Sequence, residues 1–451
     1  MFFSGTLAWI LLFLSIFSGH ARTVYAQEPE DRRLAWLDDA VAGYIYGVAP
    51  VEMYRTMQQM VVTGENAVFT GGFNRYHHSS TLATAGDRWV VAPNNDTLYS
   101  NAWLDLSNGP VLLHVPDTGE RYYVLQLMDM YTNNFALLGT RTGVNGARTY
   151  RVSGPDWEGE TPPGMEEVRA PGNLVWVLGR IHIKNRGELE EVRRLQKQFR
   201  IEPMNAGNFQ LPVIYDPARS LNFYRVLDAV LEEAPPPGDD EPLLEQLRRI
   251  GIGTKEPFEP DLLPEWQKKV LQEAEIIARA NIAEQAGKYT PLGKGWVFDG
   301  EHVGRFGTDY LTRAATTLTG LGVLNVEEAF YPFVTVDIEG RPLKGGHNYR
   351  LSFNRDDLSR ARFFWSLTAY QLPEWSLIDN PANRYSLSNS STELHYDGNV
   401  LNVMLQATQP KSPGNWLPVP ERANFALVLR LYGPRPGMWR DFRPPGVRRL
   451  D

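Results

Sequence analysis

Twice along this chain the apolar residues switch from recurring every third or fourth position to recurring every second one, and each switch requires helix to give way to strand. The first falls near Arg88. Before it, Leu34, Leu37, Val41, Tyr44, Ile45 and Val48 share one helical stripe. Pro50 is expected to bend or end that helix, with Met53, Met57 and Met60 on a second one closed by Thr63-Gly64. After it, Trp89 to Ala92 begins the strand pattern. Leu98, Ser100, Ala102, Leu104 and Leu106 then alternate with Thr97, Tyr99, Asn101, Trp103 and Asp105. Pro110 to Val115 and Arg121 to Met128 continue it, and Asn173 to Ile183 reads as a buried strand.

The middle returns to helical spacing, over Gly187 to Phe199 and from Pro264 to about Ala286, with Ala234 to Asp240 between them as a loop or linker. The second switch brings strands over Tyr331 to Ile338, Tyr349 to Asn354, Phe363 to Tyr370, Glu393 to Tyr396, Val400 to Ala407 and Phe425 to Tyr432. Asp397-Gly398 is a hairpin signal, read as a type I′ turn. A chain of 451 residues exceeds what one core usually serves. The expected fold is therefore α+β and mainly β: two β-sandwich or jelly-roll-like domains joined by a helical segment. The divisions are 1–26, 27–233, 234–295 and 296–451, with the third as the helical linker.

Leu7 to Phe17 is an apolar run followed by Val24-Tyr25-Ala26, the pattern of an export signal cleaved before Gln27. No Lys or Arg precedes the run, so an uncleaved anchor stays open as the alternative. The expected location is periplasmic or secreted, with no membrane span after cleavage. Zero Cys excludes disulfides and thiolate chemistry. A net charge of −8 with scattered basic residues argues against nucleic acid as a partner.

Several runs resemble a known family, the bacterial proteins that pair domains of unknown function numbered 1254 and 1214. In the first half they are Pro93 to Ser100, Tyr122 to Gln126, Asp129 to Phe135, Gly139 to Thr142 and Val175 to Arg180. In the second they are Phe364 to Tyr370, Asn380 to Ser386, Asn415 to Pro418 and Leu429 to Pro434. The resemblance extends from about Gly43 to the C-terminus and departs locally at Asp357 to Arg362. It implies jelly-roll-like domains in a commonly exported protein and carries no mechanism.

The candidate chemistry lies where polar residues crowd strand ends. Asp96 and Asp129 are the candidate catalytic pair, since two carboxylates sharing a pocket split their pKa values and work as acid and base. Asn94, Asn95, Tyr99, Tyr131, Asn133 and Asn134 flank them as candidate substrate-binding groups. Arg141 and Arg384 could clamp a substrate carboxylate, while Trp365 and Tyr370 offer flat faces. The same Asn and Asp residues also satisfy backbone groups at strand ends, and most aromatics are core. The His residues form no ligand-spaced motif, so no metal and no cofactor is expected. Three readings remain open. One is a hydrolase or lyase acting on a small polar or carbohydrate-like substrate through paired carboxylates. The second is a non-catalytic envelope protein holding a small molecule or glycan, and the third a homo-oligomeric structural protein.

Overall fold

The computed structural model describes residues 7–61, 72–87, 91–143, 146–205, 209–216, 218–219, 221–391, 394–411 and 414–451, with side chains from Glu30 onward. The expected export signal, 1–26, lies outside the residues whose side chains are described, as do Thr63-Gly64 and the Trp89-Val90 start of the first strand run. Among the described residues no helix is long and apolar enough to cross a membrane.

The fold is α+β, with helix and strand in equal shares of 28%. The N-terminal half holds helix α1 (Leu7–Val61) and strands β1 (Thr97–Asp105), β2 (Val111–Val115), β3 (Tyr123–Met128), β4 (Asn134–Gly139), β5 (Arg148–Ser153) and β6 (Leu174–His182). One sheet runs His77–His78, β1, β6, β3, β4, all antiparallel. A second sheet places β2 and β5 between Arg200–Pro203 and Glu166–Arg169. Period-two alternation explains how the two meet. Leu98, Ala102 and Leu104 of β1 join Val111 and Leu113 of β2 and Tyr150 and Val152 of β5 in one core between the sheets.

The opposite face of β1 is buried too. Trp103 stacks on its cross-strand partner Trp176 at 5.8 Å, and both enter a helical core. Such a pair adds about 0.5–1.5 kcal/mol beyond the area it buries. That core is supplied by α1, α2 (Asn222–Glu233), α3 (Glu241–Arg249) and α4 (Glu265–Ala286). The helices therefore form a third layer on the sheet rather than a linker between domains. Asp240, read from sequence as loop, is buried in this layer, where Tyr46 and Tyr310 donate hydroxyls to its carboxylate at 3.0 and 2.9 Å. Pro50 does not end α1, which continues to Val61. Ala49, Val51, Met53 and Met57 are buried on both sides of it, and their packing outweighs the hydrogen bond that proline removes.

The C-terminal half contains β7 (Trp296–Phe298), α5 (Tyr310–Gly320), β8 (Tyr349–Asn354), β9 (Ala361–Gln371), β10 (Val400–Gln406) and β11 (Phe425–Pro434). The larger sheet is built on the long antiparallel pair β9 and β11, the smaller on β8 and β10. Leu367, Ala369, Leu427 and Leu429 of one face Leu351, Phe353, Leu401 and Val403 of the other in a common core. The expected hairpin forms, with Asp397 paired to Val400. Gly398 takes φ 58° at the first central position and Asn399 is not left-handed, which is the placement of a type II′ turn rather than type I′.

Candidate functional site: the groove between the two halves

Asp96 sits one residue before β1, in a turn closed by its own backbone. Its N–H donates to Asn94 Oδ1 at 2.7 Å, and its carbonyl accepts from Ile183 N–H at 3.0 Å. The carboxylate points into the other half of the protein. Ser366 on β9 donates to Oδ2 at 2.5 Å and Ser386 to Oδ1 at 3.3 Å, and Arg430 on β11 lies close enough to act on its charge. Burial raises the Asp96 pKa above the ordinary carboxylate value, against the opposing pull of Arg430 and the two serines. Arg430 in turn donates to Tyr370 Oη at 2.6 Å, and Tyr370 donates to the Pro93 carbonyl at 2.8 Å. Asn94 donates to Tyr432 Oη at 2.7 Å. The Pro93 to Asp96 run is thus an inter-domain seam whose polar groups bond across the chain's two halves.

Asp129 follows the far end of β3. Its Oδ1 accepts from Tyr131 N–H and Asn133 N–H, both at 2.9 Å, and Oδ2 from the Asn133 amide at 3.0 Å. Burial raises its pKa as well, while the Asn133 hydrogen bonds oppose the rise. The two aspartates do not meet. Asp96 is bonded beside Ile183 and Asp129 adjoins Met128, the partner of Trp176, so the length of β6 separates them by roughly 20 Å. A paired acid and base at these positions needs about 5–10 Å, and the expectation of that pair is corrected accordingly.

Most of the other candidate residues are also seam or core. Tyr131 donates to the Ala234 carbonyl at 2.7 Å. Asn134 bonds Gln126, Asn325 and the Val323 carbonyl, docking β4 on the segment before β8. Arg141 pairs with buried Glu328 at 2.5 Å. Tyr99 lies under the Arg180 guanidinium, Asn95 donates to the Ala83 carbonyl, and Trp365 is core. Arg384 lines an open cavity.

That cavity is a groove of about 820 Å³ between Lys184-Asn185-Arg186, at the exit of β6, and two segments of the C-terminal half. Lys184, Arg186, Arg384 and Lys411 line it, and none makes an ion pair with a described residue. No Asp or Glu appears among its described lining residues. Asn380 holds Arg384 in place by accepting its N–H and donating to its carbonyl, both at 3.0 Å, and the left-handed Asn383 (φ 48°) completes the turn. The Arg384 guanidinium lies 5.9 Å from the Trp416 ring centre. Asn383, Ser386, Ser391 and Asn415 add neutral donors and acceptors. Ser386 links groove to seam, since the residue lines the cavity and its hydroxyl donates to the buried Asp96. Sequence reasoning named Arg384 and quoted the Asn380 to Ser386 run, but missed Ser386, Lys184, Arg186 and Lys411. The isolated basic residues in an acidic chain were the available signal.

Fold and seam together define a two-domain α+β protein whose halves close over buried polar contacts. Residues 73–203 match the family described as protein of unknown function DUF1254, and residues 328–436 match protein of unknown function DUF1214; the chain is a protein of that paired architecture. No curated protein matches it. The VPA0106 protein from Vibrio parahaemolyticus has a similar crystal structure, with TM-score 0.72 and 26% identity over 92% of this chain and 100% of that one. An uncharacterized protein from Burkholderia cenocepacia aligns over 94% and 98% at TM-score 0.43 and 13% identity, too distant to carry an argument.

Proposed function

We propose that this is an exported protein that binds a small anionic, sugar-like molecule in the groove between its two halves. The observation that carries the reading is the convergence on one cavity of four cations that have no ion-pair partner among the described residues, in a chain whose net charge is −8. Unpaired Lys and Arg facing a shared concave surface favour a carboxylate, sulfate or phosphate, and Arg384 has the fork geometry for it. The hydroxyl and amide groups beside Trp416 suit a polyol body. Export is supported by the apolar N-terminal run and the absence of Cys.

Calorimetric titration with glucuronate, galacturonate and glucose 6-phosphate tests this against neutral glucose. The acidic sugars should bind, glucose should not, and Arg384→Ala should lower their affinity at least tenfold. Equal binding of glucose, or no binding of any acid, defeats the proposal.

A second reading, turnover by a hydrolase or lyase, has one specific support. Ser386 lines the groove with its hydroxyl on a buried carboxylate of raised pKa, the pairing that lets an acceptor take a hydroxyl proton. If acidic glycosides or esters are cleaved, Ser386→Ala should abolish cleavage while leaving binding intact. Retained cleavage in that variant removes Ser386 from the chemistry.

A further inference from the structure

A second cavity of about 600 Å³ lies apart from the groove, where the end of α4 and one face of α5 meet the loop after β7 and the segment around Trp439. Its charges are mostly accounted for. Glu301 Oε2 accepts from Trp439 Nε1 at 2.8 Å and from Arg440 at 3.0 and 3.2 Å. Lys288 pairs with Glu284 at 2.9 Å. Asp309 caps α5 through the Thr312 N–H at 3.1 Å. Two groups are left over. Asp299 accepts no hydrogen bond from any described residue and makes no ion pair. Among the described residues Arg443 donates to the backbone carbonyls of Arg440 and Phe442, at 3.0 and 2.9 Å, and meets no carboxylate.

An unpaired carboxylate and an unpaired guanidinium lining one cleft, and not in contact with each other, leave room for a molecule carrying both opposite charges. We propose that this cleft binds a small zwitterion of the amino-acid or short-peptide class, its ammonium on Asp299 and its carboxylate on Arg443. A neutral polyol would offer neither group a counter-charge, and a simple anion or cation would offer one to only one of them. Thr312 and Thr316 on α5 supply hydroxyls along one wall, and Tyr289 and Phe298 an apolar surface for a side chain. Asp299 is exposed to the cleft, where its carboxylate is available to an ammonium at neutral pH; the protein atoms lining the cleft push its pKa up to about 6, and the charge is withdrawn below that value. The reading is independent of the groove, whose cations belong to other segments.

The test is calorimetric titration of the full chain with alanine, Ala-Ala and Ala-Ala-Ala, alongside N-acetylalanine and alaninamide. At least one uncapped compound should bind, and both capped forms should bind at least tenfold more weakly. Asp299→Asn and Arg443→Gln should each weaken the uncapped ligand at least tenfold, and Arg384→Ala should leave it unchanged. Affinity should also fall as the pH is lowered from 7.5 to 5. Asp299 is solvent-accessible and bonded to no described residue, so Asp299→Asn should fold with an unfolding midpoint at pH 8 no lower than the parent's. Binding of none of the three uncapped compounds overturns the proposal, as does equal binding of the capped ones or undiminished affinity in a folded Asp299→Asn.

Discussion

Ser366 donates its hydroxyl to the Asp96 carboxylate at 2.5 Å although the two residues lie 270 positions apart. The contact ties the start of β1 to the middle of β9, and it turns a polar run that looks catalytic in sequence into a fastening between domains. Asp96→Ala removes two acceptor oxygens and leaves Arg430 without its nearby carboxylate. The expected cost is about 2–4 kcal/mol, read from urea unfolding, with Asp96→Asn losing less because one oxygen acceptor remains. An Asp96→Ala variant as stable as the parent would show that the seam contributes nothing.

Asn380 carries no charge, yet it shapes the Arg384 turn through two hydrogen bonds of 3.0 Å and a third to the Ile378 carbonyl at 2.9 Å. Asn380→Ala should weaken acidic-sugar binding about tenfold and cost roughly 1–3 kcal/mol of stability. Asn380→Asp keeps the acceptor and should recover part of the stability, but it brings a negative charge to the groove and should not recover the affinity. Unimpaired binding in Asn380→Ala would mean that Arg384 needs no positioning.

Binding to the four groove cations should depend on salt. Raising NaCl from 50 to 500 mM should lower the affinity for glucuronate several-fold, because the partly exposed charges are screened as the Debye length shortens. The zwitterion cleft holds one charge of each sign and should respond less. Salt-independent glucuronate binding would argue that the contacts are not ionic.

Asp299 also has a pH signature. Its folded pKa of about 6 lies above the 3.8 of an unperturbed aspartate, so the native state holds the proton more tightly than the unfolded chain. Its favourable contribution is complete below pH 3.8 and is lost as the pH rises through 6. The urea midpoint should therefore fall across that window in the parent protein and fall less in Asp299→Asn. Burial raises Asp96 and Asp129 in the same direction, so part of the decline should survive the substitution.

Gly139 opens the Gly139-Thr140-Arg141-Thr142 run, and a Cβ there would collide with the Tyr123 carbonyl and the Val124 backbone on the neighbouring strand. Because those atoms cannot move without breaking the pairing of β3 with β4, Gly139→Ala should cost about 1–3 kcal/mol or more. The thermal midpoint reports it, and an unchanged value would mean that the hairpin yields more easily than its geometry implies.

Local pattern was sufficient for much of the fold. Alternation along Thr97 to Asp105 predicted β1 and both of its faces, and Pro264 marked the start of α4 within one residue. Pro50 shows where pattern fails. Its cost to a helix is local, whereas the burial of Val51 and Met53 that outweighs it comes from helices as far along the chain as α4 and α5.

The candidate site divides along the same line. The sequence alone determined that Asn, Asp and aromatic residues crowd the Pro93 to Ser100, Asp129 to Phe135 and Asn380 to Ser386 runs, since composition and turn chemistry are properties of neighbours in the chain. Only the tertiary structure decided that Asp96 and Asp129 stand at opposite ends of one sheet, that Asp96 is bonded by Ser366 and Ser386, and that Lys184 and Lys411 face the same groove. Strand order and register set those distances, and both follow from long-range pairing and burial that no local window contains.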